Sequence, residues 1–168
     1  MNNKLCGTMR KVFFSFHYEN DAWRAAIVRN SWITQGEEAG FIDKVDWEEV
    51  KRQGDQYIKN WIDKNLEGTS VTVVLIGSQT KDRKWVNYEI EKSYERGNGI
   101  VGIHIHKIKD QNKLTSLKGD NPLVKCVYDV NGEIIFLNDI YNTYDWVMDD
   151  GYNNMGKWID EAASIARN

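Results

Sequence analysis

The stretch KWVNYEIEKSYERGNGIVGIHIH, residues 84–106, decides the fold. Its first half carries Val86, Ile90, Ser93 and Tyr94 at helical spacing, and its second half is a short β-branched run that is too brief for a helix. The stretch also contains a literal G-x-G-x-x-G at Gly97, Gly99 and Gly102. A dinucleotide fingerprint needs its glycines after a strand and at the opening of a helix, where the helix N-terminus meets the pyrophosphate. Here the order is reversed. Gly97 ends a helix, as a C′ residue in the left-handed conformation; Gly99 begins a strand and Gly102 lies inside it. The match is a coincidence of spelling.

Working outward, the same alternation of strand and helix recurs. KVFFSF (11–16) is a nearly all-apolar run that reads as a strand buried on both faces. A helix follows in HYENDAWRAAIVRNSW, with Asn20 or Asp21 as its cap and Trp23, Ile27 and Val28 as its apolar stripe. AGFIDKV (39–45) is expected to form a short second strand. GDQYIKNWIDKNLEG places Ile58, Trp61, Ile62 and Leu66 on one helical face and stops at Gly68. SVTVVLIG (70–77) is the strongest strand, and Ser78 or Thr80 is expected to cap the helix after it. In GIVGIHIH (99–106), Val101, Ile103 and Ile105 share one side and His104 and His106 the other.

Repeated strand–helix alternation predicts an α/β fold with a mainly parallel central sheet and helices on both faces. Beyond residue 106 the pattern loosens into a polar connection that holds Pro122, the chain's one proline. Asn131-Gly132 between two apolar runs predicts a hairpin closed by a type I′ turn. Met155, Trp158, Ile159, Ala162 and Ile165 mark a final amphipathic helix.

Composition narrows the class of function. The 168 residues suit one domain, with 41% hydrophobic and 28% charged residues. A net charge of -3 gives no electrostatic reason to expect nucleic acid as a partner. No run approaches a membrane span, and the first residues lack the apolar core of a signal peptide. Cys6 and Cys126 stand far apart without metal-ligand spacing, so a reducing cytoplasm is expected and no metal. Seven Trp, eight Tyr and five Phe exceed what a core of this size needs and suit a surface that stacks on flat ligands.

The segments RKVFFSFHYEND, TSVTVVLIGSQT, WVNYEIEKSYERGNGIVGIHIH and KGDNP, in this order, resemble TIR-type domains. More narrowly, they are similar to the TIR-like family of the Thoeris anti-phage defence systems. The resemblance covers about residues 10–123 well and the C-terminal part, about 124–168, loosely, within a single TIR-like domain over 1–168. It implies a flavodoxin-like fold and, in catalytic members, cleavage of NAD+ at the nicotinamide–ribose bond. In Thoeris the implied product is a cyclic ADP-ribose isomer that activates a separate effector, so NAD+ enters as substrate and no cofactor is expected. Self-association or TIR–TIR assembly is implied as well. The family's essential glutamate maps onto Glu89.

The chemistry accepts a lone carboxylate. Glycosidases need two because an alkoxide leaves poorly without a proton. Nicotinamide in NAD+ is already cationic and departs neutral, so one carboxylate that steadies the developing oxocarbenium charge suffices. Trp85 lies one helical turn from Glu89 and shares its face, which makes it a further candidate substrate contact. The plain alternative for Glu89 is a surface pair with Lys92, three residues on.

Open α/β sheets bind ligands beyond the carboxyl ends of their strands. Candidate substrate contacts are Ser15, Phe16 and His17 after the first strand and Ser78 after the third. Asp46 and Trp47 fall after the second strand, where TIR domains carry a pocket-lining loop. Four of them have a structural alternative: core packing for Phe16 and Trp47, helix capping for Ser78, an ordinary loop position for His17. His104 and His106 read as structural. A phosphorylation receiver of the same architecture is excluded, since no carboxylate follows the first or third strand. A non-catalytic TIR adaptor, acting through assembly alone, and a nucleoside-processing enzyme of similar fold stay open as alternatives.

Overall fold

A computed structural model describes residues 10–34, 39–40 and 44–166. Five strands form one parallel sheet in the order β2-β1-β3-β4-β7: β1 (Val12–Phe16), β2 (Ala39–Gly40), β3 (Val71–Ile76), β4 (Gly99–His104) and β7 (Thr143–Asp145). This 2-1-3-4-5 arrangement is the flavodoxin-like order. Every residue of β1, β3 and β4 is buried, as a parallel sheet covered on both faces requires. Val71, Val73 and Leu75 enter one apolar cluster and Val74 and Ile76 another, so alternate side chains of β3 feed opposite faces. The helices that cover them are α1 (Tyr18–Thr34), α2 (Lys44–Arg52), α3 (Asp55–Leu66), α4 (Lys84–Glu95) and α6 (Gly151–Ala166). Among the described residues no helix is long and apolar enough to cross a membrane.

Several local expectations change. Residues 44 and 45, expected at the end of the second strand, open α2 instead; residues 41–43 lie outside the described residues. Helix α1 begins at Tyr18, before the expected cap: Asp21 N–H bonds the His17 carbonyl at 2.9 Å. The Asp21 carboxylate is turned inward and fully buried, where a Cβ on Gly77 would stand 2.1 Å from its Oδ2. Trp23 and Ile27 are exposed, at 51% and 37%. The inward face of α1 is Ala25, Val28 and Trp32, at i, i+3 and i+7. Neither Ser78 nor Thr80 caps α4, which starts at Lys84; the Thr80 hydroxyl accepts the Gly77 N–H at 2.8 Å and shapes the intervening turn.

Two of the three glycines of the opening stretch have clear structural duties. Gly97 adopts φ +78°, its N–H bonding Tyr94 O while Asn98 N–H bonds Ser93 O, which is a Schellman stop. Gly99 gives the backbone of α6 room to cross β4: a Cβ there would lie 2.3 Å from Ala162 O.

Past β4 the chain runs through a loop that buried Arg24 pins from α1, by Nε to Ile108 O at 2.8 Å and Nη2 to Leu114 O at 3.0 Å. The expected hairpin follows as β5 (Cys126–Tyr128) and β6 (Ile134–Phe136). Its turn is not type I′, because only Gly132 has positive φ. Asp129 accepts the Gly132 N–H and donates to the Glu133 carbonyl, the pattern of a type I turn with a glycine bulge. Short α5 (Leu137–Ile140) then leads to β7, which completes the sheet against β4. On α6, Met155, Trp158, Ile159 and Ala162 are buried and Ile165 is partly so.

Candidate active site

The carboxyl end of β1, the first turn of α1, one face of α2 and the start of α4 surround a cleft of about 210 Å³. Strand β1 delivers Phe16 and His17 to it, and α1 adds Tyr18 and Glu19. Trp47 and Lys51 come from α2, one turn apart on the same face. Arg83, Lys84 and Trp85 come from the start of α4. A smaller recess of about 20 Å³, room for one water, shares the Phe16, Tyr18, Trp47 and Trp85 walls and has Phe14 and Glu89 as its remaining lining.

Glu89 is therefore deeper than its sequence position at the edge of the apolar stripe implies: it is 5% exposed. Lys92 is not its partner and pairs instead with Glu95 at 2.7 Å. The Ser15 hydroxyl donates to Glu89 Oε2. Ser15 reaches it because β1 pairs with β3 in a register that aligns Ser15 with Val74, whose side chain faces α4. The same seam holds the Thr72 and Ser93 hydroxyls 2.6 Å apart, and Ser93 Oγ donates to the Glu89 carbonyl at 2.7 Å. Burial pushes the Glu89 carboxyl up to about 8, against the opposing pull of the Ser15 hydrogen bond. A carboxyl held neutral at rest, at the floor of an aromatic recess, is poised to ionise when a cation enters.

The aromatic wall is continuous. Phe16 and Tyr18 ring centres are 5.5 Å apart, Tyr18 and Trp47 6.3 Å, and Trp47 and Trp61 6.1 Å. On the opposite side Trp85 meets Tyr88 edge-on at 6.0 Å, and Lys84 Nζ sits 4.6 Å above the Trp85 ring. Around the mouth the charges are mostly neutralised in place. Lys51 pairs with Glu19 and, at 3.3 Å, with Glu48; Lys84 pairs with Asp55. The His17 imidazole is held below its ordinary value by burial and then by the Arg83 charge, so it is neutral near pH 7.

Six of the eight sequence-predicted residues thus converge: Phe16, His17, Trp47 and Trp85 on the cleft wall, Glu89 at the recess floor, and Ser15 behind it. Two do not. Asp46 is exposed on α2 outside the lining, because a helix there turns it away from Trp47. Ser78 sits in the turn before α4 and receives a hydrogen bond from Asn20 at 3.3 Å. Tyr18, Glu19, Lys51, Arg83 and Lys84 line the cleft without having been singled out in the sequence. Lys51 was reachable once Trp47 is placed on a helix, since it lies four residues on. Among the described residues no group of three or more His, Cys, Asp or Glu is placed to hold a metal ion.

The sequence that builds this arrangement is similar to known proteins. The model of the family described as Thoeris protein ThsB, TIR-like domain, matches residues 13–110, a span that holds β1, except for its first residue, through β4 and all the converging residues. A Bacillus cereus (strain MSX-D12) protein named "Putative cyclic ADP-D-ribose synthase ThsB1" is 37% identical over 190 aligned residues, covering 90% of this chain and 99% of the relative. With both the domain and nearly the full length matched, the chain belongs to the ThsB family of TIR-like proteins from Thoeris systems.

Proposed function

We propose that the chain, acting as a single TIR-like domain over residues 1–168, is a cyclase. It breaks the nicotinamide–ribose bond of NAD+ and closes the ADP-ribosyl product on itself. The observation that carries this reading is the Glu89 carboxyl at the floor of the recess, walled by Phe16, Tyr18, Trp47 and Trp85. The relative's name, "Putative cyclic ADP-D-ribose synthase ThsB1", supports it.

Aromatic faces attract a cationic ring, and NAD+ carries one in its pyridinium. Its arrival lowers the Glu89 pKa, since an opposite charge nearby favours the carboxylate. As the C–N bond breaks, its electron pair goes to the ring nitrogen and nicotinamide leaves neutral. The sugar carbon then carries oxocarbenium charge, which the carboxylate stabilises where it develops. A nucleophilic atom of the same ADP-ribose closes onto that carbon and releases a proton. NAD+ is consumed as substrate, so the reaction calls for no cofactor. Aromatic walls that shield the sugar carbon from bulk water favour closure over hydrolysis.

The cleft is smaller than the 300–1,000 Å³ of typical ligand pockets and holds about half of a dinucleotide. Self-association through TIR–TIR contacts supplies the missing walls. In this scheme the cyclic product is a cytoplasmic messenger for a separate effector during phage infection. The test is incubation with NAD+ over a range of protein concentrations, with nicotinamide release and product mass followed for wild type and Glu89→Gln. Release by wild type that rises steeply with concentration and is lost in the variant supports the reading. No release at any concentration leaves the adaptor.

A further inference from the structure

Arg83 stands apart from the other cations of the cleft. Lys51 is neutralised by Glu19 and Glu48, and Lys84 by Asp55. Arg83 makes no ion pair among the described residues. Its guanidinium is braced by one residue, Gln79, through Nη2 to the side-chain Oε1 at 2.7 Å and Nε to the backbone carbonyl at 3.2 Å. Both acceptors are neutral, so they fix the plane of the guanidinium and leave its charge without an ion-paired carboxylate, although Glu19 of the same cleft feels it weakly. That charge is felt across the cleft: it helps hold His17 down, and it opposes the burial that raises Asp21. His17 Nδ1 is itself buried without a hydrogen-bond partner among the described residues.

A braced guanidinium with no ion-paired carboxylate, beside a neutral imidazole, is an arrangement for a doubly acceptor-rich anion. Arginine's planar fork matches two oxygens of a phosphate at once, which a lysine cannot do. An anion at that place would also draw a proton onto His17, adding a second charge-assisted hydrogen bond. The position fits as well: Arg83 lines the cleft two residues before Trp85, whereas Glu89 lines the smaller recess that shares the Trp85 wall.

We infer that Arg83, oriented by Gln79, is the diphosphate anchor of this cleft, the residue that selects a dinucleotide over a nucleoside. The inference rests on the proposed use of NAD+, but its test does not require turnover. Binding of ADP-ribose and of nicotinamide riboside is followed through the fluorescence of Trp47 and Trp85, in wild type, Arg83→Gln, Arg83→Lys and Gln79→Ala. Charged hydrogen bonds of this kind carry about a tenfold to hundredfold effect. Arg83→Gln therefore weakens ADP-ribose by that factor and changes nicotinamide riboside less than about threefold. Arg83→Lys recovers part of the loss, because it restores charge without the fork. Gln79→Ala weakens ADP-ribose by a smaller factor. Unchanged ADP-ribose binding in Arg83→Gln overturns the inference, as does equal loss of both ligands or a wild type that does not bind ADP-ribose. Arg83-dependent binding of ADP-ribose without any release of nicotinamide from NAD+ leaves the anchor standing and removes the cyclase.

Discussion

The Ser15 hydroxyl on β1 donates to the Glu89 carboxyl group on α4, and among the described residues it is that group's one side-chain partner. The bond crosses a seam that is otherwise apolar at this level, with Val74, Val86 and Ile90 around it. It therefore sets both where the carboxyl sits and how readily it ionises.

Replacing Ser15 with alanine should shift the pH profile of nicotinamide release. The hydrogen bond favours the charged form, so its loss raises the Glu89 pKa above its present value of about 8. Because the proposed reaction uses the carboxylate, kcat/KM climbs with pH to a plateau, and the climb moves to higher pH in Ser15→Ala. A displacement of about one unit is expected, roughly a tenfold loss at pH 7 that high pH restores. A uniform loss at every pH would mean that Ser15 acts only through packing.

Glu89→Gln should lower nicotinamide release by about two to three orders of magnitude, as expected for loss of the group that meets developing charge. It should also stabilise the fold at alkaline pH. The native pKa lies above that of an unfolded carboxylate, so between about 4.5 and 8 the folded state binds more protons than the unfolded one. Stability falls with rising pH wherever that holds, so this group's contribution is complete at acid pH and lost as pH passes 8. The melting temperature of Glu89→Gln relative to wild type thus rises from pH 5 to pH 8 and then levels. Asp21, raised to about 6 by burial, adds a similar slope at lower pH, but it is common to both proteins and cancels in the difference.

The two tryptophans of the cleft should separate stability from binding. Trp47 is 7% exposed and packed between Tyr18 and Trp61. Its replacement by alanine opens a cavity and costs about 3–5 kcal/mol in denaturant unfolding. Trp85 is half-buried on the other wall. Trp85→Ala costs less, about 1 kcal/mol, while raising KM for NAD+ through loss of its aromatic face.

What the sequence revealed and what it hid follow from the range of the interactions involved. Strands buried on both faces declare themselves locally, so VFFSF, VTVVLI and GIVGIH were readable without any partner. Glu89 was found by family resemblance, but its burial was not legible: only the sheet register that brings Ser15 beneath α4 makes it a recess floor. Trp23 was misplaced because α1 has two apolar stripes, and the choice between them depends on where α6 and the sheet lie. Lys51 and Arg83 line one cleft although α2 and the start of α4 lie far apart in the chain, a convergence no local pattern encodes. Strand β7 is three residues, Thr143 to Asp145, and exists through its pairing with β4.

The glycines of residues 97–102 give a last test, one that sets backbone packing against ligand binding. If they formed a nucleotide loop, adding a methyl group would raise KM for NAD+ and spare the fold. The structure requires the opposite. At Gly99 a Cβ would fall 2.3 Å from Ala162 O and 2.5 Å from Ala162 C, both backbone atoms that cannot yield without moving α6 off β4. Gly99→Ala should therefore cost about 2–3 kcal/mol, at the upper end for overpacking. At Gly97 there is open space, and only the φ of +78° is strained, so Gly97→Ala should cost about 1 kcal/mol. Urea unfolding of the two variants should rank them in that order. In Gly97→Ala, which keeps the fold, KM for NAD+ should match wild type, because the strain falls at the C-terminal end of α4, whereas the cleft takes Arg83, Lys84 and Trp85 from its start.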